Sequence, residues 1–412
     1  MRRLPPLVVD YRPMRTRNIF LLTLCQMISA TGSIVLVTLG GILGSRLTEH
    51  QALATLPLSV MIVSVAATTI PATMLMRAIG RKRGFALASV SSAASVLLAA
   101  YALVSSSFAW FLVSAAIFGI NMAFTQQYRF AAAESVDPPH AARAISLVLV
   151  GAIGGAFVGP ELVRLGQHAI EGLPYAGTLV AVALLYLLQA GLFMLLGPLH
   201  EDRNRGHALE QRSLADIVKQ PLFIVAVLAG TAAYGTMTLI MTATPLSMHI
   251  NDGYSIEETA QIIRIHVLGM YVPSLFSGLL IERLGLGPMM TVGGASLAVA
   301  CVVGLHGHSM MHYGFALVLL GVGWNFLYVG GTTMLTLTYS MAERFKAQAM
   351  NEFSVFGTSA TASLLAGTIM YLYGWHVLVL LPLPLLLAIF AGLFRVRGNA
   401  RLHPLRASRN AA

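Results

Sequence analysis

The sequence predicts an all-α membrane protein whose twelve crossing helices form two pseudo-symmetric bundles of six. Three observations predict this. Twelve apolar stretches, each close to a bilayer crossing in length, fill the chain. The basic residues between them fall on alternate connections. A short pattern in the first half also returns in the second, with Gly80 and Gly285 standing 205 positions apart.

A hydrocarbon core of about 30 Å takes roughly 20 residues of helix. The expected amino-terminal bundle, 18–197, holds spans 18–46, 54–76, 84–105, 109–134, 141–165 and 174–197. The first is preceded by five arginines in the segment 1–17, and Arg77, Arg81, Lys82 and Arg83 separate the second from the third. Arg143 marks the connection between the fourth and fifth. The polar linker 198–221 follows, with Arg203, Arg205, Arg212 and Lys219. In it Ser213 precedes Asp216, and Leu214, Ile217 and Val218 share a face, which predicts a short amphipathic helix on the membrane surface. The carboxy-terminal bundle, 222–395, holds spans 222–250, 259–282, 288–305, 312–340, 349–373 and 375–395, and the tail 396–412 is basic.

With the amino terminus cytoplasmic, 22 of the 26 basic residues lie on the inner side; Arg46, Arg129, Arg164 and Arg264 are the others. By the positive-inside rule both termini are then cytoplasmic. The net charge of +10 is thereby accounted for by loops facing anionic lipid, with no nucleic-acid partner. A chain that is 57% apolar and 10% charged has too little polar surface for a soluble domain. The first 17 residues lack an apolar core and cleavage site, so the first span is expected to be its own insertion signal. Cys25 and Cys301 lie in apolar spans and indicate packing, with no disulfide framework. No Walker-type loop, GxSxG or HExxH pattern is present, so neither ATP-driven transport nor enzymatic chemistry is expected, and no cofactor.

Duplicated halves around a midplane site are the usual plan of secondary transporters. The starts of the first and seventh spans, 18 and 222, differ by 204, within one residue of the offset of 205 given by the two glycines. At this point the chain resembles the major facilitator superfamily over about residues 15–397. Leu75, Gly80, Arg81, Lys82 and Arg83 match that family's loop after its second helix, although Thr73 replaces a glycine and Arg77 an acid. The second copy matches at Gly278, Leu280, Arg283 and Gly285, with Glu282 as the acid. In the fifth span GAIGGAFVGP is similar to the family's Gly-Pro motif, common in its antiporters. The resemblance implies alternating access, with Gly80, Arg81, Arg83, Gly278, Glu282, Arg283 and Gly285 gating at the inner loops. Gly151, Gly155 and Gly159, four apart, suit close helix approach, and Pro160 favours a bend. They are read either as ordinary packing or as a flexible contact between the halves.

Charged and polar groups inside the spans supply the candidate site. The fourth span brings Gln126, Tyr128 and Arg129 to its inner third. Arg129 is read as an anion-binding arginine or as half of an ion pair, with Glu352 at similar depth as its partner. Tyr234 in the seventh span and Trp324 with Asn325 in the tenth complete the expected substrate-binding set. His266, Glu352 and Arg264 are the proton-coupling candidates, His266 because it titrates near neutral pH. His306, His308, Met310, Met311 and His312 form an outer loop, read as ordinary and not as a metal site. The expectation is a monomeric secondary transporter of a small organic solute in a bacterial cytoplasmic membrane. It is coupled to protons, with efflux by antiport favoured and uptake of an organic anion or zwitterion as the alternative.

Overall fold

The computed structural model describes residues 16–49, 53, 56–197, 212–399 and 402. Expectations for 1–15, for 198–211 of the linker and for 403–412 of the tail lie outside the described residues. The amino-terminal half contains α1 (Thr16–Leu47), α2 (Leu56–Ile79), α3 (Arg81–Val104), α4 (Phe108–Thr125), α5 (Tyr128–Ala133), α6 (Ala141–Gly166) and α7 (Ala176–Met194). A short α8 (Leu214–Val218) precedes α9 (Pro221–Pro245), α10 (Ile256–Tyr271), α11 (Ser274–Leu284), α12 (Leu286–His306), α13 (Met310–Thr336), α14 (Arg344–Leu380) and α15 (Leu383–Val396).

Two expected spans are broken helices. The fourth is α4 plus α5, interrupted at Gln126–Gln127, and the eighth is α10 plus α11, interrupted at Val272–Pro273. The last apolar run, Arg344–Val396, is 53 residues long, far more than one crossing. Gly374, at φ 76° and ψ 177°, divides it into the eleventh and twelfth spans. Gly80 (φ 84°, ψ 156°) and Gly285 (φ 91°, ψ 166°) hold nearly the same conformation where the third and ninth spans begin. That region of backbone space is essentially open to glycine alone. The repeat seen in the sequence is therefore a repeat of backbone geometry.

Each half packs by the same plan: α1 lies along α6 and α9 along α14, while α3 lies along α7 and α12 along α15. The halves meet where α2 lies against α14 and α6 against α11. Large apolar side chains such as Leu87, Phe157, Tyr371 and Phe394 are exposed, as a lipid-facing surface requires. In α8, Ser213 accepts from the Asp216 N–H as its cap and Ile217 is fully buried.

The glycines of the fifth span sit elsewhere than the inter-half reading supposed. A Cβ on Gly151 would stand 2.2 Å from the Thr23 carbonyl, on Gly155 2.6 Å from Ala30 Cβ, and on Gly159 2.9 Å from Ile34. All three neighbours are on α1, so this face joins two helices of one bundle. The contact of α6 with α11 of the other half is made one to two turns nearer its start. There Gly278 of α11 is so close that an added Cβ would lie 2.5 Å from the Arg143 Cα. Ser146 and Ser277 hydrogen bond across the same seam at 3.0 Å.

Candidate substrate site between the bundles

The basic end of the molecule, where α3, α6 and α14 begin, is laced across the two halves. Three residues of α14 spaced by four, Arg344, Gln348 and Glu352, present one face to the amino-terminal bundle. Arg344 Nε lies 3.8 Å from Glu134. Gln348 accepts from Arg81 at 2.6 Å and donates to Glu134 at 3.3 Å. Arg81 itself clasps Glu134 through two nitrogens, at 2.8 and 2.7 Å, and donates to Gln127 at 3.2 Å. Deepest of the three, Glu352 accepts from Arg129 in a buried ion pair, the partnership expected from their equal depth. At the surface of this end Glu282 meets His140 at 3.3 Å. Arg83, Arg283 and Arg77 are exposed.

Next to the Arg129–Glu352 pair, a cavity of about 50 Å³ is lined by Gln26, Gln126, Arg129, Tyr234, Tyr271, Trp324 and Tyr328, among others. Its carboxy-terminal wall is an aromatic box. Trp324 and Tyr328 stack with centroids 4.8 Å apart and planes 26° apart. Tyr234 meets both edge-on at 5.4 and 5.1 Å, and Tyr271 meets Trp324 at 5.7 Å. The Arg129 guanidinium lies 4.1 Å from the centre of the Tyr328 ring, within cation–π range. Gln126 accepts from Arg129 at 3.3 Å and from Tyr328 at 3.1 Å. Three buried atoms here have no hydrogen-bond partner among the described residues: Arg129 Nε, Trp324 Nε1 and Glu352 Oε2. Buried polar atoms are rarely left so, at a cost of about 1–3 kcal/mol each.

Ligand pockets usually measure roughly 300–1,000 Å³, so this cavity is too small to hold a solute as it stands. A larger groove of about 570 Å³ runs between α9, α14 and α15. Its lining carries no charged residue and it lies on one flank of the carboxy-terminal bundle, away from the seam. It is not the polar site.

The cavity thus gathers Gln126, Arg129, Tyr234 and Trp324 from the expected set. It does not include Tyr128. A helix turns about 100° per residue, so Tyr128 points into its own bundle, where Gln189 donates to its hydroxyl at 2.9 Å. Nor does it include Asn325, which donates to Met270 O at 2.8 Å and contacts Ser274 at 2.5 Å. These are groups at the Pro273 break, and Asn325 stitches that break to α13. His266 Nδ1 faces Leu317 O at 2.8 Å, and the ring is buried outside the cavity lining, while Arg264 is exposed. Sequence reasoning missed Gln26, Tyr271 and Tyr328. Tyr328 had a usable signal, since it follows Trp324 by four and so shares its helix face. In the outer loop His306 faces Val302 O and His312 contacts Ser309 as local bonds, while His308 reaches Asp252 of a separate connection at 3.0 Å.

The description "Major Facilitator Superfamily" matches residues 19–302. The chain belongs to the major facilitator superfamily. It is a membrane transporter of that family. It is 38% identical to the "Riboflavin transporter RfnT" of Brucella anthropi over 371 residues, covering 90% of this chain and 93% of the relative. It is 27% identical to the uncharacterized MFS-type transporter YdeG of Bacillus subtilis, covering 86% and 85% respectively. Among solved structures it is similar to the E. coli fucose:proton symporter FucP, with TM-score 0.73, 17% identity and coverage of 93% and 98%. It is also similar to the human organic anion transporter MFSD10, with TM-score 0.72 and 17% identity, covering 93% of this chain and 100% of that one. At that identity the likeness is one of fold, and it agrees with twelve crossings in two bundles.

Proposed function

We propose that this facilitator carries riboflavin, or a flavin with the same ring system, across the membrane by alternating access. The single observation that supports it most is the aromatic box of Tyr234, Tyr271, Trp324 and Tyr328 beside an internally neutralised ion pair. A planar, largely uncharged heteroaromatic ring is the kind of solute that such a wall stacks. The 38% identity to a riboflavin transporter over nine-tenths of the chain agrees with it. The pairing of Arg129 also changes the expectation of an anionic solute, because Glu352 already neutralises the arginine. Riboflavin quenching in detergent, followed by counterflow of labelled riboflavin in proteoliposomes, tests the proposal. Tyr328→Ala should weaken binding about 10-fold or more, as loss of a stacking platform does. Unchanged affinity in that variant, or no counterflow by the wild type, would sink the reading.

For coupling, Glu352 is the proton carrier best supported by the geometry. Its protonation would remove the negative partner of Arg129 and loosen the seam between the bundles. Glu352→Gln should abolish proton-driven accumulation and leave exchange, while His266→Gln, with its ring bonded to α13, should keep both. The antiport expectation rested on the fifth-span motif, whose glycines are engaged within one bundle. The same vesicles, with the proton gradient imposed in either sense, measure export against uptake. The basic end is the cytoplasmic end, in a bacterial inner membrane, and the protein acts as a monomer.

A further inference from the structure

The three unsatisfied atoms, two on cavity-lining residues and one on the carboxylate behind Arg129, are of two kinds. Arg129 Nε and Trp324 Nε1 each carry one N–H with nothing to receive it, and Glu352 Oε2 is an acceptor with nothing donating to it. All three residues are nearly or fully buried: Trp324 is 1% exposed, Arg129 3% and Glu352 0%. Arg129 and Trp324 line the cavity directly, and Glu352 is bound to Arg129. The remaining polar atoms of the pair are occupied. Glu352 Oε1 receives Arg129 and, at 2.7 Å, Asn351, and Arg129 Nη1 is used by Gln126. Among these three buried residues the unpartnered atoms are therefore two donors and one acceptor, beside the hydroxyls of Tyr234 and Tyr271 and the amide of Gln26 in the lining.

That inventory is the complement of one chemical edge. A cyclic imide presents two carbonyl acceptors flanking a single N–H donor, and the pyrimidine end of the isoalloxazine ring is such an imide. We propose, resting on the flavin reading above, that the site selects its substrate by this imide edge. Trp324 Nε1 and Arg129 Nε donate to the two carbonyls, Glu352 Oε2 accepts the ring N–H, and Tyr328 stacks on the ring plane. Specificity then comes from the imide, and the sugar-alcohol chain is secondary. A site built to bond an N–H rejects an analogue lacking it more strongly than an apolar pocket rejects a change of size, because its own buried groups are left unpaired.

The test measures binding of riboflavin, N3-methylriboflavin, lumichrome and thymine to the full-length protein by fluorescence or competition. N3-methylriboflavin removes the imide N–H and adds one methyl group there. It should bind about 30-fold or more weakly than riboflavin, with lumichrome close to riboflavin. Trp324→Phe keeps the ring and removes the N–H, and should weaken riboflavin about 10-fold while its melting temperature reports folding. Equal binding of riboflavin and N3-methylriboflavin would overturn the imide reading and leave the flavin reading standing. If riboflavin fails to bind while thymine binds and its N3-methyl derivative does not, the flavin reading falls and the imide reading stands. If no planar imide binds, both fall. The wild-type comparison decides the matter even where a variant does not fold.

Discussion

Arg129 sits where two requirements meet. A guanidinium in the membrane interior needs a counter-charge, and Glu352 on the opposite bundle supplies it. Removing one member of a buried pair strands the other, at a cost of about 3–5 kcal/mol, whereas removing both can be nearly neutral. Arg129→Gln and Glu352→Gln should each lower the melting temperature of the purified protein. The double variant should recover most of the loss, and additive losses would exclude the pair as a structural unit. The residues also show how far the sequence could be read. Polar and aromatic groups in apolar spans are conspicuous, so Gln126, Arg129, Tyr234, Trp324 and Glu352 could be picked out before the fold was seen. The direction of each was less legible. Tyr128 and Asn325 are neighbours of site residues that point away, and His266 lies outside the cavity lining, its Nδ1 against a carbonyl of α13. Tyr271 and Gln26 reach the cavity only because of how the helices are assembled, which no local pattern encodes.

At the scale of elements, the two copies of the loop motif are not equivalent. Position 77 carries an exposed arginine, while its counterpart Glu282 bonds His140 across the seam. The acid is therefore present in one copy alone. Glu282→Gln should shift cysteine accessibility towards the arrangement open at the basic end, and an unchanged ratio of accessibilities would remove Glu282 from the gate. A second element-level feature is the clamp at the start of α14. Arg212 donates to both oxygens of Glu343 at 2.9 and 2.7 Å and to Thr338 O at 3.0 Å. Hydrogen bonds from Arg212, helped by backbone N–H groups of Ser340 and Arg212, hold the Glu343 carboxyl well below its ordinary range despite its burial. A depressed carboxylate value contributes stability above the unfolded value of about 4.3. That contribution is lost as pH falls towards the folded value. Melting curves should therefore show Glu343→Gln and wild type differing most near pH 7 and converging in acid. A gap that widens below pH 4 would contradict this sign. That such a clamp exists was hidden from the sequence, because Arg212 and Glu343 are far apart along the chain.

For the whole molecule, the crossings were legible because bilayer thickness imposes a length on every apolar run. The exceptions are instructive. The breaks at Gln126–Gln127 and Val272–Pro273 do not interrupt apolarity enough to be seen as ends, yet at the first Gln126 lines the cavity and Gln127 meets Arg81, and at the second Met270 O receives Asn325. Orientation rests on charge, with 22 basic residues assigned to one side. Single cysteines placed at 308 and 312 should be labelled by an impermeant reagent from outside intact cells, and those at 205 and 346 only after permeabilisation. The reverse pattern would invert the topology.

The face of α14 formed by Arg344, Gln348 and Glu352 also implies an order in time. Its three contacts lie at increasing depth, so a separation that starts at the basic surface unfastens them in sequence, like the teeth of a zipper. Arg344 lets go of Glu134 first, Gln348 leaves Arg81 next, and Glu352 parts from Arg129 last. The final tooth is the one beside the cavity. On the proposed reading, a solute held there would stay shut in until the others had opened, and the last contact to part would be the one that protonation of Glu352 weakens.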